Sequence, residues 1–187
     1  MEAQLSKPLL ILDLDETLIF GSETRLHREA DFMVGPFHVY KRPGVEAFLV
    51  SVNRYYDLAI WSSASADYVL EIANELRSYV SDWTFVWSRT RCVERMHPET
   101  FGTIPIKDLK KAVRQGYPLE RILIVDDTRN KVARNYGNAI YVTEYTGSDD
   151  DEELSGLARF LVHLHAQPNF RAIEKRGWRS RSLPDIE

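Results

Sequence analysis

A chain of 187 residues, 44% of them apolar and 11% aromatic, can bury the core of one compact domain, and its 24 basic against 28 acidic residues offer no overall field for nucleic acid or membrane. The longest aliphatic runs, "LLIL" and "ILIV", fall far short of the roughly 20 residues that span a bilayer, and "MEAQLSKP" lacks the basic and apolar parts of a secretory leader. The single cysteine, Cys92, has no partner for an internal disulfide and suits a reducing compartment, so a cytoplasmic protein is expected, or a nuclear one in a eukaryote.

In chain order, residues 9 to 13 are continuously apolar and then acidic, the pattern of a parallel strand covered on both faces. "DFMVGPFHVYK" reads as a hairpin. In "RPGVEAFLVSVNRYY" Pro43 suits a first helical turn, and Val45, Phe48, Leu49 and Val52 form a helical stripe that would cover a sheet. "DLAIWSS" (57 to 63) is a second strand ending in small polar residues. The next helix is capped by Ser65 and turns Val69, Ile72, Ala73 and Leu76 inward. Strands are expected at 83 to 88, 121 to 127 and 139 to 143, with a helix beginning at Lys107 before the second of these, and His97 before Pro98 reads as a turn residue. A last helix runs from about 150 to about 166 with Leu154, Leu157, Leu161 and Leu164 inward, and "DDDEE" at its start complements the helix dipole. Residues 167 to 187, with five basic residues in "RAIEKRGWRSR", read as a solvated or loosely docked tail.

Alternating strands and helices predict an α/β fold with a central, mostly parallel sheet, as one domain with a core of about 7 to 166. Ligands of such sheets bind beyond the carboxyl ends of the strands. "DLDET", "WSS" and "VDD" would meet there, bringing Asp13, Asp15, Asp126 and Asp127 together. Four carboxylates in one site require positive charge, which a divalent cation and a lysine supply; an all-oxygen donor set suits Mg2+. A carboxylate in that setting is a nucleophile for phosphorus, the task assigned to Asp13. Asp15, two residues on, would protonate the leaving oxygen and later deprotonate water. Thr17, Ser62 and Lys107 would position the phosphoryl group and neutralise its charge. Glu16 is given no catalytic task. A cysteine-phosphatase loop at Cys92 is excluded, because position 98 is proline where that loop needs arginine.

"DLDETL", "YKRPGVEAFL", "AIWSSASADYV", "IKDL" and "ILIVDDT", five motifs in order over residues 7 to 145, resemble the haloacid dehalogenase superfamily, in particular its branch of small RNA polymerase II carboxy-terminal-domain phosphatases and NIF-like relatives. The resemblance implies a Rossmann-like core. It also implies Asp13 as nucleophile and metal ligand, and Asp15 as general acid/base whose backbone carbonyl meets the metal. Thr17 completes the first motif, Ser62 or its neighbour Ser63 is the phosphoryl-binding hydroxyl, and Lys107 holds the nucleophile. Asp127 is the direct metal ligand, with Asp126 acting through water or Lys107, so Asp13, Asp15, Asp126 and Asp127 form the expected metal set. The inserts at 21 to 42 and 81 to 106 are too short for a full cap domain, so an open site and a phosphoprotein substrate are expected, with no nucleic-acid or membrane partner. The second insert, "SRTRCVERMHPETFGT", departs from the polymerase phosphatases. The alternatives are a phosphatase of metabolites or nucleic-acid ends, and a non-catalytic binding module of the same fold.

Overall fold

The computed structural model describes residues 7–96 and 102–180; the His97 turn and the last seven residues of the expected tail lie outside the described residues. Five strands form the central sheet: β1 (Leu9–Leu12), β5 (Asp57–Trp61), β6 (Trp83–Trp87), β9 (Ile122–Asp126) and β10 (Ala139–Tyr141). Their order is β10-β9-β1-β5-β6, all parallel. β1 sits in the middle, and the chain builds outward on one side before returning to the other. The switch in strand order therefore falls between β1 and β9, where ligands of such sheets bind.

The alternation of side chains along β1 explains why the whole run is apolar. Leu10 and Leu12 face one core and Leu9 and Ile11 the other, all fully buried. The first core is covered by α1 (Val45–Asn53), α2 (Ala66–Glu75) and α4 (Glu153–Leu164). The predicted stripes are the buried ones: Val45, Phe48, Leu49 and Val52 on α1, and Leu154, Leu157, Leu161 and Leu164 on α4, joined by Phe160. Gly44, with φ of 78°, turns the chain from Pro43 into α1. The second core is closed by the short α3 (Lys110–Val113) and by the irregular helical segment 129–138.

The two inserts stay small. The first forms an antiparallel sheet of β2 (Ile19–Ser22), β3 (Phe32–Val34) and β4 (Phe37–Lys41), and the second a ladder of β7 (Val93–Met96) and β8 (Thr103–Ile106). Lys107 does not begin a helix, as the sequence reading had it; it follows β8 directly, three residues before α3. No large cap domain is present among the described residues.

The tail reading also changes. Residues 167–180 pack onto the domain: Phe170 is fully buried beside Tyr56, and Trp178 stacks on Phe160 at 5.9 Å while its indole N–H donates to the Tyr141 carbonyl at 3.0 Å. Two aromatic residues in a short basic stretch carried this burial, outweighed in the sequence by the charges around them. Arg42 is a second buried tie, donating in bidentate fashion to Asp151 at 2.8 and 2.7 Å and to the Thr17 carbonyl at 3.0 Å. Asp151 of "DDDEE" is thus an ion-pair partner of the domain interior as well as a helix-dipole complement. Among the described residues no helix is long and apolar enough to cross a membrane.

Phe170→Ala is expected to cost about 3–5 kcal/mol of stability in urea unfolding, the range for truncating a buried aromatic side chain. A loosely docked tail would lose less than about 0.5 kcal/mol.

Candidate active site

The site starts from the loop after β1. The Asp13 amide donates to the Val125 carbonyl at 3.0 Å, continuing the β1–β9 ladder, so the first acid leaves the sheet in register with β9. The loop then tightens around one acceptor, since the amides of Thr17, Leu18 and Ile19 all point at the Leu14 carbonyl at 3.1, 2.8 and 3.1 Å. Glu16 makes this turn possible. Its backbone is left-handed (φ 57°), its amide donates to Ile19 and its carbonyl accepts from Tyr145, both at 2.8 Å. The residue without a catalytic task in the sequence is the backbone pivot between the two motif aspartates and Thr17.

Asp13, Asp126 and Asp127 each bring a carboxylate oxygen within 4.8 Å of the others. The fully buried Lys107 ammonium bridges two of them, at 2.9 Å from Asp13 Oδ1 and 2.6 Å from Asp126 Oδ2. Burial pushes the Lys107 pKa down, and Asp126 and Asp13 more than reverse this, leaving it above the ordinary lysine value. Burial lifts the Asp126 carboxyl to about 6, against the opposing pull of Lys107. The Thr128 amide and hydroxyl orient the pair, donating to Asp126 Oδ1 at 2.8 Å and to Asp127 Oδ2 at 2.7 Å. Two buried oxygens, Asp13 Oδ2 and Asp127 Oδ1, receive no hydrogen bond. The bare Asp127 oxygen, with the Asp13 and Asp126 carboxylates beside it, makes an all-oxygen donor set that a hard divalent cation fits.

Asp15 stands apart from that cluster. Its carboxylate accepts from the Tyr68 hydroxyl at 2.7 Å and from Ser62 Oγ at 3.5 Å, so its side chain is not among the three clustered acids. Burial, aided by the charge of Asp13 and opposed by the Tyr68 hydrogen bond, raises its pKa above the ordinary aspartate value. Ser62 follows β5 and is buried, its Oγ also accepting from the Ala64 amide at 3.0 Å; of the two serines it is the one that faces Asp15. Thr17 is buried, but its hydroxyl meets no partner among the described residues. Cys92 is half-buried, and burial pushes its thiol up, away from nucleophilic reactivity.

Two residues escaped the sequence reading. Lys131 places its ammonium 3.6 Å from Asp13 Oδ2 and 3.9 Å from Asp127 Oδ1, beside the two bare oxygens, and its carbonyl accepts from the Lys107 amide at 2.7 Å. The available signal was its spacing of four residues from Asp127. Tyr68 lies one residue outside the apolar stripe of α2; its hydroxyl passes so close over Gly21 that a β-carbon there would collide with it.

The model of the family described as NLI interacting factor-like phosphatase matches residues 8–171. The chain belongs to this family. Members similar to it include a "Mitochondrial import inner membrane translocase subunit TIM50" from Kluyveromyces lactis, 30% identical over 96% of this chain and 34% of that protein, and another TIM50 from Phytophthora infestans, 32% identical over 89% and 37%. "Nuclear envelope morphology protein 1" from Saccharomyces cerevisiae is 29% identical over 89% of this chain and 41% of that protein. The chain thus spans well under half the length of these relatives. Among solved structures, Fcp1, titled an essential RNA polymerase II CTD phosphatase, superposes with a TM-score of 0.65 over 86% of this chain and 62% of that one, at 16% identity. An uncharacterized protein from Listeria monocytogenes gives 0.56 over 84% and 98%, at 15% identity. At these identities the likeness concerns the fold alone.

Because the folded protein holds the Asp126 proton more tightly than the unfolded chain does, this group favours folding at low pH, and its contribution is lost as pH rises through about 6. The stability of the parent relative to Asp126→Asn is therefore expected to fall between pH 4 and 7, by up to about 3 kcal/mol, in urea titrations at each pH.

Proposed function

We propose that the chain is a magnesium-dependent phosphatase that hydrolyses phosphomonoesters through an aspartyl-phosphate at Asp13, with a phosphoprotein as its substrate. One observation carries the reading: Asp13 has one oxygen held by the Leu14 amide and Lys107, both at 2.9 Å, and the other buried without a hydrogen-bond donor. That oxygen keeps its lone pairs for phosphorus.

In the first half-reaction the free Asp13 oxygen forms a bond to phosphorus while the phosphorus–ester oxygen bond breaks. Asp15, whose raised pKa holds a proton further towards neutrality, passes it to the leaving oxygen. In the second, Asp15 takes a proton from water as the water oxygen bonds to phosphorus, and the bond to Asp13 breaks to free phosphate. Asp13, Asp126 and Asp127, together with the Asp15 backbone carbonyl, would hold Mg2+, which when bound neutralises phosphoryl charge. Lys107 keeps the carboxylates together and adds positive charge for the equatorial oxygens. Ser62 supplies a hydroxyl on the opposite side, next to Asp15.

The small inserts leave the site without a cap, which favours a macromolecular substrate over an enclosed metabolite. The TIM50 relatives support a second reading, a binding module of the same fold, and the retained carboxylates and Lys107 weigh against it. Asp13→Asn is expected to lower turnover of an aryl phosphate by about 1,000-fold or more, and chelation of Mg2+ to abolish it reversibly. Turnover that persists with chelator would contradict the mechanism, and a parent with no turnover under any divalent ion would favour the binding module.

Tyr68 tunes Asp15 in this scheme. Its hydrogen bond pulls the Asp15 pKa down, so Tyr68→Phe is expected to move the Asp15 limb of the kcat–pH profile to higher pH, with kcat reduced by about ten-fold or less. An unmoved limb would remove Asp15 from proton transfer or Tyr68 from its control.

A further inference from the structure

The chain as a whole is acidic, with a formal net charge of −4, yet one cavity in it is basic. This cavity, of about 430 Å3, lies against the β10 edge of the central sheet, between the 129–138 segment and the packed tail. Among the described residues its walls gather Arg129, Arg171, Lys175 and Arg176 with one acid, Glu174, onto which Arg176 forks.

The cations are held in different ways. The Lys175 ammonium donates to the carbonyls of Phe170 and Ile173 at 2.6 and 2.8 Å and so is tied within the tail itself. The Arg129 guanidinium lies 4.9 Å from the centre of the Tyr141 ring, and Arg171 Nη1 donates to Asn138 Oδ1 at 3.0 Å. Arg176 forks onto Glu174 through Nε and Nη2 at 2.7–3.1 Å. A guanidinium carries five N–H donors, so Arg129 and Arg171 retain donors for an oxyanion beyond these contacts.

The cavity is also placed for substrate. Tyr141 pairs with Asp126 in the β9–β10 register, and adjacent strands lie only about 4.8 Å apart. Arg129 is two residues beyond Asp127, at most about 7 Å along the chain. An extended peptide advances about 3.3 Å per residue, so a side chain two to four residues from a phosphoryl group seated at Asp13 spans this separation.

We propose that this cavity binds the carboxylate side chains flanking the phosphorylated residue, so that the protein selects phosphopeptides with Asp or Glu two to four positions away. The proposal rests on the phosphatase reading above. An acidic peptide is favoured over nucleic acid because the basic groups converge in one cavity instead of lining a track, and the remaining surface charge repels a polyanion.

The test compares fluorescein-labelled phosphoserine peptides that carry either glutamate or alanine at those positions. For the parent the glutamate peptides should show a KM roughly five-fold lower, the scale of a few exposed ion pairs. In Arg129→Gln/Arg171→Gln the two peptides should converge, with turnover of an aryl phosphate unchanged. Arg129→Glu should reverse the preference towards lysine-flanked peptides. Equal KM values in the parent, or a preference that survives the double variant, would overturn the proposal, as would a single-stranded oligonucleotide that competes better than the glutamate peptide. Anisotropy of the same peptides reads the cavity without turnover, so an inactive parent that still binds glutamate peptides more tightly would refute the phosphatase reading and keep the acidic-flank site. Equal binding would overturn it.

Discussion

The ammonium of Lys107, buried between Asp13 and Asp126, is the contact on which the rest of the site depends. Two carboxylates from neighbouring strands, with a third beside them, could not remain buried and charged without it. Its own burial is tolerable only because both partners are within hydrogen-bond distance. The sheet delivers the acids and the second insert delivers the cation, since Lys107 follows β8 directly and its amide is tied to the Lys131 carbonyl. The second insert is therefore part of the site's construction, independent of any role in covering it.

Around that contact the environment separates acids that the sequence presents as alike. Asp13 is held through one oxygen with the other bare, Asp126 is paired with the cation and lifted by burial, and Asp127 is oriented by Thr128. Asp15, two residues from Asp13, is turned away onto α2 by Tyr68 and Ser62. The left-handed Glu16 turns the chain after both aspartates, from Asp15 to Thr17. Burial thus raises the Asp15 pKa, against the pull of the Tyr68 hydroxyl, while Asp13, two residues away, stays among the clustered acids beside Lys107.

The elements whose residues repeat with a period were legible in the sequence. The apolar runs of β1 and β9 and the stripes of α1, α2 and α4 are the buried ones, because a single face must meet the sheet. The convergence of Asp13, Asp15, Ser62, Asp126 and Asp127 followed from their positions at strand ends, whereas Lys107 arrives from the end of β8 and not from the helix start that was expected. Long-range partners were not legible. Tyr68 acts across the fold through a single polar atom, which leaves no periodic trace; the four-residue spacing of Lys131 from Asp127 gave no sign of its approach to Asp13; and the burial of Phe170 and Trp178 depends on a surface formed by Tyr56, Tyr141 and Phe160 from distant parts of the chain. Asp15, which the resemblance puts on the metal only through its backbone carbonyl, keeps its carboxylate outside the three-acid cluster.

The account rests on attack by the bare oxygen of Asp13, and the most direct measurement is to locate the phosphoryl group. In Asp15→Asn, an aryl phosphate with a good leaving group needs no acid to phosphorylate the protein, whereas release needs the missing base, so the intermediate accumulates. Acid-quenched protein, digested at low pH and sequenced by mass spectrometry, is predicted to carry one phosphoryl group on Asp13. A phosphoryl group on any other residue, or single-turnover hydrolysis with no phosphorylated protein at any time, would contradict the account.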